Sequence, residues 1–473
     1  MSCSPRRDLS ALEMSRVVSI LPSGDEPIRK RDDLLAVFYE AAAQSQAPRI
    51  GPEMEKTGVH PADLSPVTYE GVVMNVLVDL AAHHGWATHR ERDGGPIISL
   101  EKDGASVTLE PGGQLELSGA PAADVHAIDD ETRSHMRELK DVSARLGVQW
   151  LGIGFHPFAT RQDLHWVPKA RYAIMRDYFP TVGRYGVDMM LRTCTVQSNL
   201  DYRSEEDAMR MMRLSLAIAP LTTAIFSNSP WVEGKPFGGV TMRGLVWTDV
   251  DSSRTGLVPA LWKKNASFGD YVDFALGANM FIIKRGPDAT ANTEQTFADY
   301  IREGKDGLEA TQDDWRLHLN TLFPEVRLKR TLEIRSADAQ GPKHVSALHA
   351  MYAGLLYDDK ARDELHALIE PWTYDEVVAL RPRIWREGLG TPFRGERLAQ
   401  VASKVLDIAK GGLARRARKD AKGRDESIYL ESLVSLVSRG LTPADELVSL
   451  IGMPSGEHAK QKLVELTDLF ALA

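Results

Sequence analysis

The sequence predicts an α+β fold, with short antiparallel strands and helices mixed in the first two thirds of the chain and helices at its end. Two observations support this prediction. Residues 86–117 are rich in Ile, Val, Thr and Leu and are interrupted by Asp-Gly-Gly and Asp-Gly, a pattern typical of a meander of short strands. From residue 344 onward, apolar side chains recur at helical spacing almost to the end of the chain.

The elements outside these two regions are predicted from spacing and from the residues that flank them. Residues 32–44 have helical spacing and begin with an Asp pair, which the helix dipole favours at that end. Residues 49–56 are predicted to be extended, and residues 68–84 to form a second helix. The remaining patterns predict helices at 129–146 and 204–218, strands at 150–156, 192–201 and 326–335, and a polar surface excursion at 286–314.

The chain of 473 residues is long enough for more than one domain, and its composition predicts three parts. Residues 1–30 contain Ser-Pro, Pro-Ser-Gly-Asp and Glu-Pro, and we expect them to form a flexible leader. Residues 31–340 hold the predicted sheet and its surrounding helices. Residues 341–473 are expected to form a helical portion that packs on the same domain.

Composition argues against several classes of protein. The 57 Lys and Arg against 66 Asp and Glu give a formal net charge of −9, whereas binding to nucleic acid needs a dense basic surface. The two cysteines, Cys3 and Cys194, allow no disulfide framework and no Cys-x-x-Cys zinc motif. The longest apolar run, 214–226, is too short to cross a bilayer, and the N-terminus lacks the apolar stretch of a secretory signal. We therefore expect a cytoplasmic protein with no nucleic-acid or membrane partner.

Several extended segments carry acids or amides on one face, because alternate residues of a strand point the same way. Glu53 and Glu55 share a face in one segment, and Gln114 and Glu116 share a face in another. Two further faces carry Thr193, Thr195, Gln197 and Asn199, and Lys329, Thr331, Glu333 and Arg335; His156 lies on the glycine-bearing face of a fifth segment.

Each of these faces, taken alone, is explained by contact with water. If the strands form one sheet, the faces converge, and carboxylates that meet without cations repel one another and rise in pKa. A divalent ion relieves that repulsion, and oxygen ligands with one imidazole suit magnesium or manganese. Magnesium held by carboxylates usually also holds nucleotide phosphates, for which Lys329, Arg330 and Arg335 would supply positive charge.

Residues 243–254 form a second cluster, with two arginines, a tryptophan and two acids. Arg243, near Trp247, can clamp a substrate carboxylate through two parallel hydrogen bonds; the alternative is a surface loop of salt bridges. Several nucleotide and hydrolase motifs do not occur, among them G-x-x-x-x-G-K-[ST], H-E-x-x-H and G-x-S-x-G. A bound nucleotide is therefore not expected to be held by a P-loop.

From about residue 49 to its end, the chain resembles the plant-type glutamate–cysteine ligases, which also occur in bacteria. The resemblance implies a fold similar to the catalytic domain of glutamine synthetase, in which a curved, mostly antiparallel sheet lines a funnel and helices lie outside. On this resemblance, residues 31–340 form the catalytic unit. The matching motifs include G-x-E-x-E-K at 51–56, LEPGGQLELSGAP at 109–121, LGIGFHP at 151–157, RYAIMRDYF from 171, MRGLVWTDVDSSRTG at 242–256 and LFPEVRLKRTLEIRSADA at 322–339.

The resemblance implies that ATP phosphorylates the γ-carboxylate of L-glutamate and that the amine of L-cysteine attacks the γ-glutamyl phosphate. The products are γ-glutamylcysteine, ADP and phosphate, at the first step of glutathione or related thiol biosynthesis. The implied cofactor is Mg²⁺ or Mn²⁺, and the protein is expected to be a monomer or a homodimer. By position, the metal ligands are Glu53, Glu55, Glu110, Glu116, His156 and Glu333; Arg335 and Glu55 are catalytic; Arg243, Trp247, Gln197 and Asn199 bind substrate; and Arg335, Lys329 and Arg330 bind ATP.

Two alternatives stay open at this point. One is a carboxylate–amine ligase of the same fold with a different amine acceptor. The other is a non-catalytic ATP or glutamate sensor, which the presence of the acidic positions disfavours. The chain also departs from the family pattern: Pro52 and Met54 stand where the first motif usually has Thr and His, and plant members have glutamine at the position of His156. We expect Pro52, which has no N–H, at the start or edge of a strand.

Overall fold

The computed structural model describes residues 24, 26–45, 47–286, 288–452 and 456–473. Its centre is a nine-stranded sheet in which every paired strand runs antiparallel to its neighbour, which confirms the predicted antiparallel architecture. The strands are β1 (Ile50–Val59), β2 (Ala87–Arg90), β3 (Ile97–Lys102), β4 (Ala105–Leu109), β5 (Leu115–Ser118), β6 (Gln149–Leu151), β7 (Thr195–Leu200), β14 (Val326–Leu328) and β15 (Leu332–Asp338).

The spatial order of the sheet is β14-β15-β7-β1-β5-β4-β3-β2, and β6 pairs with the far end of β1. The long strand β1 therefore lies between β7 and β5, at the middle of the sheet. Four two-stranded ladders lie apart from it: β8 (Trp231–Val232) with β9 (Lys235–Pro236), β10 (Thr255–Gly256) with β13 (Phe323–Pro324), β11 (Ile282–Arg285) with β12 (Asp288–Ala291), and β16 (Pro392–Phe393) with β17 (Glu396–Arg397).

Helices cover the sheet and build the C-terminal part of the chain. The two that pack most directly on the sheet are α6 (Glu205–Ile225), against β15, and α11 (Ala347–Leu356), against β7 and β1. The helices are α1 (Arg31–Gln44), α2 (Met74–His84), α3 (Val125–Leu146), α4 (Ala170–Tyr178), α5 (Gly186–Arg192), α6 (Glu205–Ile225), α7 (Met242–Val246), α8 (Phe268–Leu276), α9 (Phe297–Glu303), α10 (Gln312–Leu319), α11 (Ala347–Leu356), α12 (Asp359–Ile369), α13 (Tyr374–Val378), α14 (Arg381–Glu387), α15 (Leu398–Arg416), α16 (Glu431–Ser438), α17 (Pro443–Ile451) and α18 (Glu457–Thr467).

The long helix α6 begins as the sequence predicts and ends later. The Ser204 side chain caps it by accepting a hydrogen bond from the Asp207 N–H, and three acids occupy its first turn. The predicted end at residue 218 is wrong, since the helix continues through Pro220 to Ile225. Proline removes one backbone hydrogen bond, but nearly every side chain from Leu214 to the end is buried, and that burial outweighs the loss.

The predicted strand at 326–335 is a hairpin instead. Strands β14 and β15 are joined by a turn at 329–331, where the Lys329 N–H donates to the Thr331 carbonyl over 2.9 Å. The hairpin pairs Arg327 with Glu333, so their side chains stay on one face even though the chain reverses. Strand alternation alone could not distinguish one long strand from two short ones.

The predicted strand at 150–156 ends at Leu151. Beyond it, the N–H groups of Gly152 and Gly154 donate to the carbonyls of Thr467 and Asn228, which lie outside the sheet. Residues 286–314 are likewise not a simple surface excursion, since they include β12 and α9. The apolar anchors of this segment, Phe297 and Tyr300, are fully buried within a mainly polar sequence.

Pro52 is the third residue of β1, as expected for a proline near the start of a strand. Its carbonyl accepts a hydrogen bond from the Gly119 N–H over 2.8 Å, just past the end of β5. The N–H and C=O of a strand residue point to the same side, so the missing N–H of Pro52 faces the place where β5 has ended.

The predicted parts 31–340 and 341–473 share one hydrophobic core, which contains residues from β1, β15, α11 and α15. The Ser198 hydroxyl of β7 contacts His349 Nδ1 of α11 at 2.6 Å, across the predicted boundary. The boundary itself stays a prediction. Most of the predicted leader, 1–30, lies outside the described residues, as does Cys3, while Cys194 is buried. In the part of the chain that the structure describes, no helix is long and apolar enough to span a bilayer.

The two glycines of the LGIGFHP motif allow the chain to pass closely against the end of β15. A Cβ atom on Gly154 would lie 2.4 Å from the Asp338 carboxyl carbon, and one on Gly152 would lie 2.2 Å from the Gln340 carbonyl oxygen. Neither separation is possible for real atoms, so only glycine fits at either position.

We expect Gly154→Ala to destabilise the protein by about 1–3 kcal/mol, since the added methyl group must displace the buried Asp338 carboxylate. Urea unfolding measures the change. Gly390→Ala is the matched control, because a Cβ there meets nothing within 4 Å. Equal stability of the two variants would show that the contact with Asp338 does not require glycine.

Candidate active site

A cavity of about 500 Å³ lies over one face of the central sheet. The strand register explains which side chains line it, since directly paired residues of antiparallel strands share a face. Glu55 of β1 is opposite Glu116 of β5, and Glu53 of β1 is opposite Gln197 of β7. The face that the sequence predicts to be polar is therefore the floor of the cavity. Predicted site residues that line it are Glu53, Glu55, Glu110, Glu116, Gln197, Arg243, Trp247, Lys329 and Arg335.

Three of these carboxylates have raised pKa values. Burial and the neighbouring charges of Glu333 and Glu116 raise the pKa of Glu53 to about 7. Burial raises the pKa of Glu55 well above its usual value, and the charges of Glu110 and Glu116 raise it further. Burial and Glu110 also raise the pKa of Glu116. Burial and mutual repulsion thus disfavour the ionised form of all three carboxylates on the cavity floor.

Glu333 is in the opposite situation, because three cations surround it. Arg327 binds it with a two-pronged contact of 2.6 and 2.8 Å, Lys329 Nζ lies 3.1 Å away, and Arg335 Nη1 donates to it over 2.7 Å. Burial raises the pKa of this carboxyl, but the three cations overcome that effect and hold the pKa well below its usual range. To bind a metal ion, Glu333 would have to give up one of these partners, and its ligand role stays a prediction.

Glu55 and Glu53 are contacted by two side-chain amides and one backbone N–H group. Glu55 accepts a hydrogen bond from the Thr195 N–H over 2.9 Å, and the Gln197 amide nitrogen lies 3.5 Å from its other oxygen. Asn199 donates to Glu53 over 2.8 Å. Asn199 is thus a neighbour of the carboxylates rather than a lining residue of the cavity.

A smaller cavity adjoins the first beside Arg243, Trp247, Phe323 and Arg335. The Arg243 guanidinium lies 5.7 Å from the Trp247 ring and donates from Nη2 to the Arg335 carbonyl over 2.7 Å. Two buried donors here, Arg335 Nε and Trp247 Nε1, have no hydrogen-bond partner among the described residues. A recess with several cationic and N–H donors suits a carboxylate ligand.

Helix α7 carries Arg243 and is fixed from behind by Asp338. Thr241 caps the helix by accepting from the Gly244 N–H over 2.8 Å and donates to Asp338 over 3.0 Å. Asp338 also accepts from the Ser229 hydroxyl over 2.7 Å. The buried carboxylate therefore determines where the helix begins and where Arg243 points.

The other arginine of the 243–254 cluster serves a different purpose. Arg254 is fully buried, pairs with Asp251 at 2.6 Å and donates to the carbonyls of Thr321 and Asn279. Tyr178 completes this group by donating to Asp251 over 2.9 Å. The cluster is thus neither a surface salt-bridge loop nor one site: Arg254 ties segments of the core together, and Arg243 faces the cavity.

Four predicted site residues do not line the cavity: Glu333 and Asn199 contact residues of its floor, whereas His156 and Arg330 lie elsewhere. His156 lies beyond the end of β6, and its Nδ1 accepts from the N–H groups of Phe158 and Ala159. Burial and Arg192 lower its pKa to about 3, so it is neutral. Arg330 turns away from the sheet and contacts Gln44, with Glu40 at 4.0 Å. Its place in the hairpin turn, which strand alternation did not reveal, explains this orientation.

Sequence reasoning missed several cations and a hydroxyl at the cavity. Lys169 and Arg171, at the start of α4, line it together with Tyr172 and Lys284. Lys169 Nζ donates to the Leu109 carbonyl over 2.8 Å, and burial, with Arg171 nearby, lowers its pKa to about 8. The only signal in the sequence was the RYAIM motif at 171–175, which matched the family without indicating a role.

Comparison with known protein families decides what kind of protein this is. The model of glutamate–cysteine ligase family 2 matches residues 49–465. The chain belongs to this family. The resemblance drawn from the motifs is therefore confirmed over the range in which it was drawn.

Similar proteins of known name agree with the family. The chloroplastic glutamate–cysteine ligase of Medicago truncatula is 42% identical over 429 residues, which are 90% of this chain and 82% of that protein. The chloroplastic glutamate–cysteine ligase of Arabidopsis thaliana is 41% identical over 445 residues, which are 93% of this chain and 83% of that protein. These relatives are ligases, which is the enzyme class of the family.

A solved structure supports the fold. The glutamate–cysteine ligase of Francisella tularensis, determined in complex with AMP, matches with a TM-score of 0.56 and covers 90% of this chain and 88% of that chain. The two sequences are only 13% identical, so the likeness concerns the fold alone. The open antiparallel sheet with helices around it is thus the architecture of a glutamate–cysteine ligase.

The raised pKa of Glu53 predicts a pH-dependent loss of stability. This carboxyl ionises near pH 7 in the folded protein and near 4.5 when unfolded. Between these values the unfolded chain releases its proton first, so stability falls as the pH rises. Glu53→Gln should therefore be more stable than the wild type by about 1 kcal/mol above pH 7, a free-energy difference reduced by solvent screening of the partly exposed carboxylate. Near pH 4.5 the two proteins should be equally stable.

Urea unfolding in metal-free buffer at pH 4.5 and pH 8 measures this difference. Glu457→Gln, at an acid whose side chain is 67% exposed, is the control and should show no such dependence. A Glu53→Gln variant that loses stability at pH 8 would mean that Glu53 is ionised and stabilising in the folded protein.

Proposed function

We propose that the protein joins the γ-carboxylate of L-glutamate to the amine of L-cysteine at the expense of ATP. The observation that supports this most is the pairing of two subsites. A carboxylate-rich cavity floor with raised pKa values lies beside a recess lined by Arg243, Trp247 and Arg335. The first suits a cation with phosphates, the second suits an amino-acid carboxylate, and the family name describes this reaction.

Arg243 and Trp247 are proposed to hold glutamate. A buried guanidinium makes strong charge-assisted hydrogen bonds to a carboxylate, and burial lowers the pKa of Arg243, as expected for a cation that lacks a full counter-charge. Burial keeps the pKa of Glu55 well above its usual value, and the charge of Arg243 partly offsets that rise, so Glu55 lies on the glutamate side of the floor. Its proposed catalytic role is to face the reacting end of the substrate.

Arg335 is proposed to act at the reacting atoms, since it lines both cavities. Its Nη1 is held by Gln197 at 2.7 Å and Glu333 at 2.7 Å, so the guanidinium is oriented before substrate arrives. Phosphoryl transfer depends mainly on positioning and on charge stabilisation, which a fixed guanidinium supplies. The first step transfers the γ-phosphoryl group of ATP to the γ-carboxylate of glutamate and releases ADP. In the second step the amine nitrogen of cysteine bonds to the acyl carbon of this γ-glutamyl phosphate, phosphate leaves with the bonding electron pair, and the nitrogen loses a proton.

Mg²⁺ or Mn²⁺ held by one or two of Glu53, Glu55, Glu116 and Glu110 would neutralise the phosphates of bound ATP. Burial and mutual repulsion raise the pKa values of the first three, and a cation beside them would offset both effects. No three acidic or imidazole side chains in the described ranges form a ready cation site. This suits magnesium, which proteins hold through one or two carboxylates together with substrate phosphates. His156 is not proposed as a ligand, because it lies away from the floor.

The phosphates of ATP are proposed to meet Arg335 and Lys329, as the sequence suggests, and also Lys169 and Arg171. These two replace Arg330 in that role, because Arg330 faces Gln44 instead. Lys169 and Arg171 lie across the cavity from the β14–β15 hairpin, so cations would approach a triphosphate from two sides.

Several finer points remain proposals. The cytoplasm is the proposed location, and a monomer or homodimer the proposed assembly, both from the sequence. A different amine acceptor is the second candidate for the reaction, because the sequence motifs do not identify the residues that bind the amine. A sensor that binds ATP or glutamate without turnover is the third.

The decisive measurement is ADP release with Mg-ATP and L-glutamate, in the presence and absence of L-cysteine. We expect strong cysteine-dependent release that EDTA abolishes and that Mg²⁺ or Mn²⁺ restores. A panel of other amines tests the second candidate: faster release with another amine would change the substrate and keep the mechanism. Nucleotide binding without release for any amine would favour the sensor.

We expect Arg243→Ala to raise the KM for glutamate by about 10- to 100-fold, the effect of removing a charged donor from a carboxylate, and to change the KM for ATP little. Steady-state kinetics with each substrate varied in turn measures both values. Arg184→Ala is the control, because Arg184 pairs with Asp249 of the same segment on the surface, with 76% of its side chain exposed. Equal changes in the two KM values would remove Arg243 from the glutamate site.

A further inference from the structure

Helix α14, in the C-terminal helical portion, forms one wall of the glutamate recess, which Arg381, Ile384 and Trp385 line. We propose that Arg381, the first residue of this helix, is a positioning residue that holds Trp247 and Arg335 in place and thereby determines glutamate affinity. This inference rests on the proposed function, since it takes glutamate to bind at Arg243 and Trp247.

Arg381 connects the two residues through a single guanidinium. Its Nη2 donates to the Trp247 carbonyl over 2.9 Å, and its Nε donates to Glu325 Oε1 over 3.2 Å. The other oxygen of Glu325 accepts from the Ser336 hydroxyl over 2.9 Å, and the Glu325 carbonyl accepts from the Arg335 N–H over 3.2 Å. One cation thus ties the segment after α7 to the strand that carries Arg335.

The same helix holds the other end of α7. The Trp385 carbonyl accepts hydrogen bonds from the N–H groups of Val240 and Thr241 over 2.8 and 3.2 Å. Helix α7 has only five residues, so it has little hydrogen bonding of its own and depends on what holds its ends. The Trp385 carbonyl binds the residues before the first turn of α7, and Arg381 binds the residue after its last turn. Helix α14 therefore holds both ends of the segment that carries Arg243.

The interaction needs arginine rather than a generic cation. The guanidinium serves a backbone carbonyl and a carboxylate at once, at fixed angles, whereas a lysine ammonium is a single point of charge on a flexible stem. The side chains of Arg381 and Glu325 are 20% and 15% exposed, so water competes weakly with their pairing. Gly256, with φ of 86°, leaves room for Nη1 of Arg381, which lies 3.1 Å from the site of a Cβ there.

The test compares four variants with the wild type by steady-state kinetics: Arg381→Met, Arg381→Lys, Glu325→Gln and, as matched control, Arg383→Met. Arg383 lies on the same helix, pairs with Glu387 at 2.9 Å and has 43% of its side chain exposed. We expect Arg381→Met and Glu325→Gln each to raise the KM for glutamate about 10-fold, with the KM for ATP and the Tm nearly unchanged. Arg381→Lys should restore part of the loss, and Arg383→Met should match the wild type.

Hydrogen–deuterium exchange of residues 240–249 measures the positioning directly. It should be faster in Arg381→Met than in the wild type and unchanged in Arg383→Met. If Arg381→Met does not fold, Glu325→Gln carries the test alone. A raised KM in Arg381→Met with a normal Glu325→Gln would mean that Arg381 contacts glutamate itself, which overturns the positioning role. Parallel changes in both KM values, or unchanged exchange, overturn it as well.

Failure of the proposed function is seen separately, in the wild type. If the wild type releases no ADP with glutamate and any amine, the ligase reaction is wrong, and the exchange measurement still decides whether Arg381 holds the 240–249 segment. If exchange becomes faster in Arg381→Met but the KM for glutamate does not change, Arg381 holds the segment without determining glutamate affinity, and the proposed effect on affinity is overturned.

Discussion

The antiparallel register of β1 between β5 and β7 is the constraint on which the rest of the site depends. It places Glu55 beside Glu116 and Glu53 beside Gln197, so that carboxylates from separate parts of the chain share one face. A shift of one residue would turn these side chains into the apolar core behind the sheet. The convergence of buried carboxylates on the cavity floor, and the fitness of that floor for a cation with phosphates, both follow from that register.

The site is built at a cost to the stability of the unliganded protein. Carboxylates whose pKa values are raised by burial and by one another oppose folding at neutral pH, and a bound cation reverses the sign of that effect. Glu333 is handled differently, because Arg327, Lys329 and Arg335 neutralise it within the protein. Glu333 thus orients the cations, while the other floor carboxylates stay available to ligands. Residue type alone does not reveal which acid has which role.

The C-terminal helices are part of the site as well as of the core. Helix α11 supports β7 from behind, and helix α14 reaches α7 at both ends. The match to the Francisella tularensis enzyme at 13% identity indicates how far sequence can change around this architecture. A sheet whose register is fixed by an apolar core on one face tolerates such change, since packing requires shape and polarity more than identity.

Local sequence determined the class of fold, most helices and the polar faces of β1, β5 and β7, because each rests on spacing within a few residues. Motif order determined the family. Tertiary structure alone decided which polar residues meet. It turned 326–335 into a hairpin that sends Arg330 toward Gln44, ended a strand before His156, and brought Lys169 and Arg171 to the cavity. Those outcomes depend on contacts between segments far apart in the chain, which local periodicity does not encode.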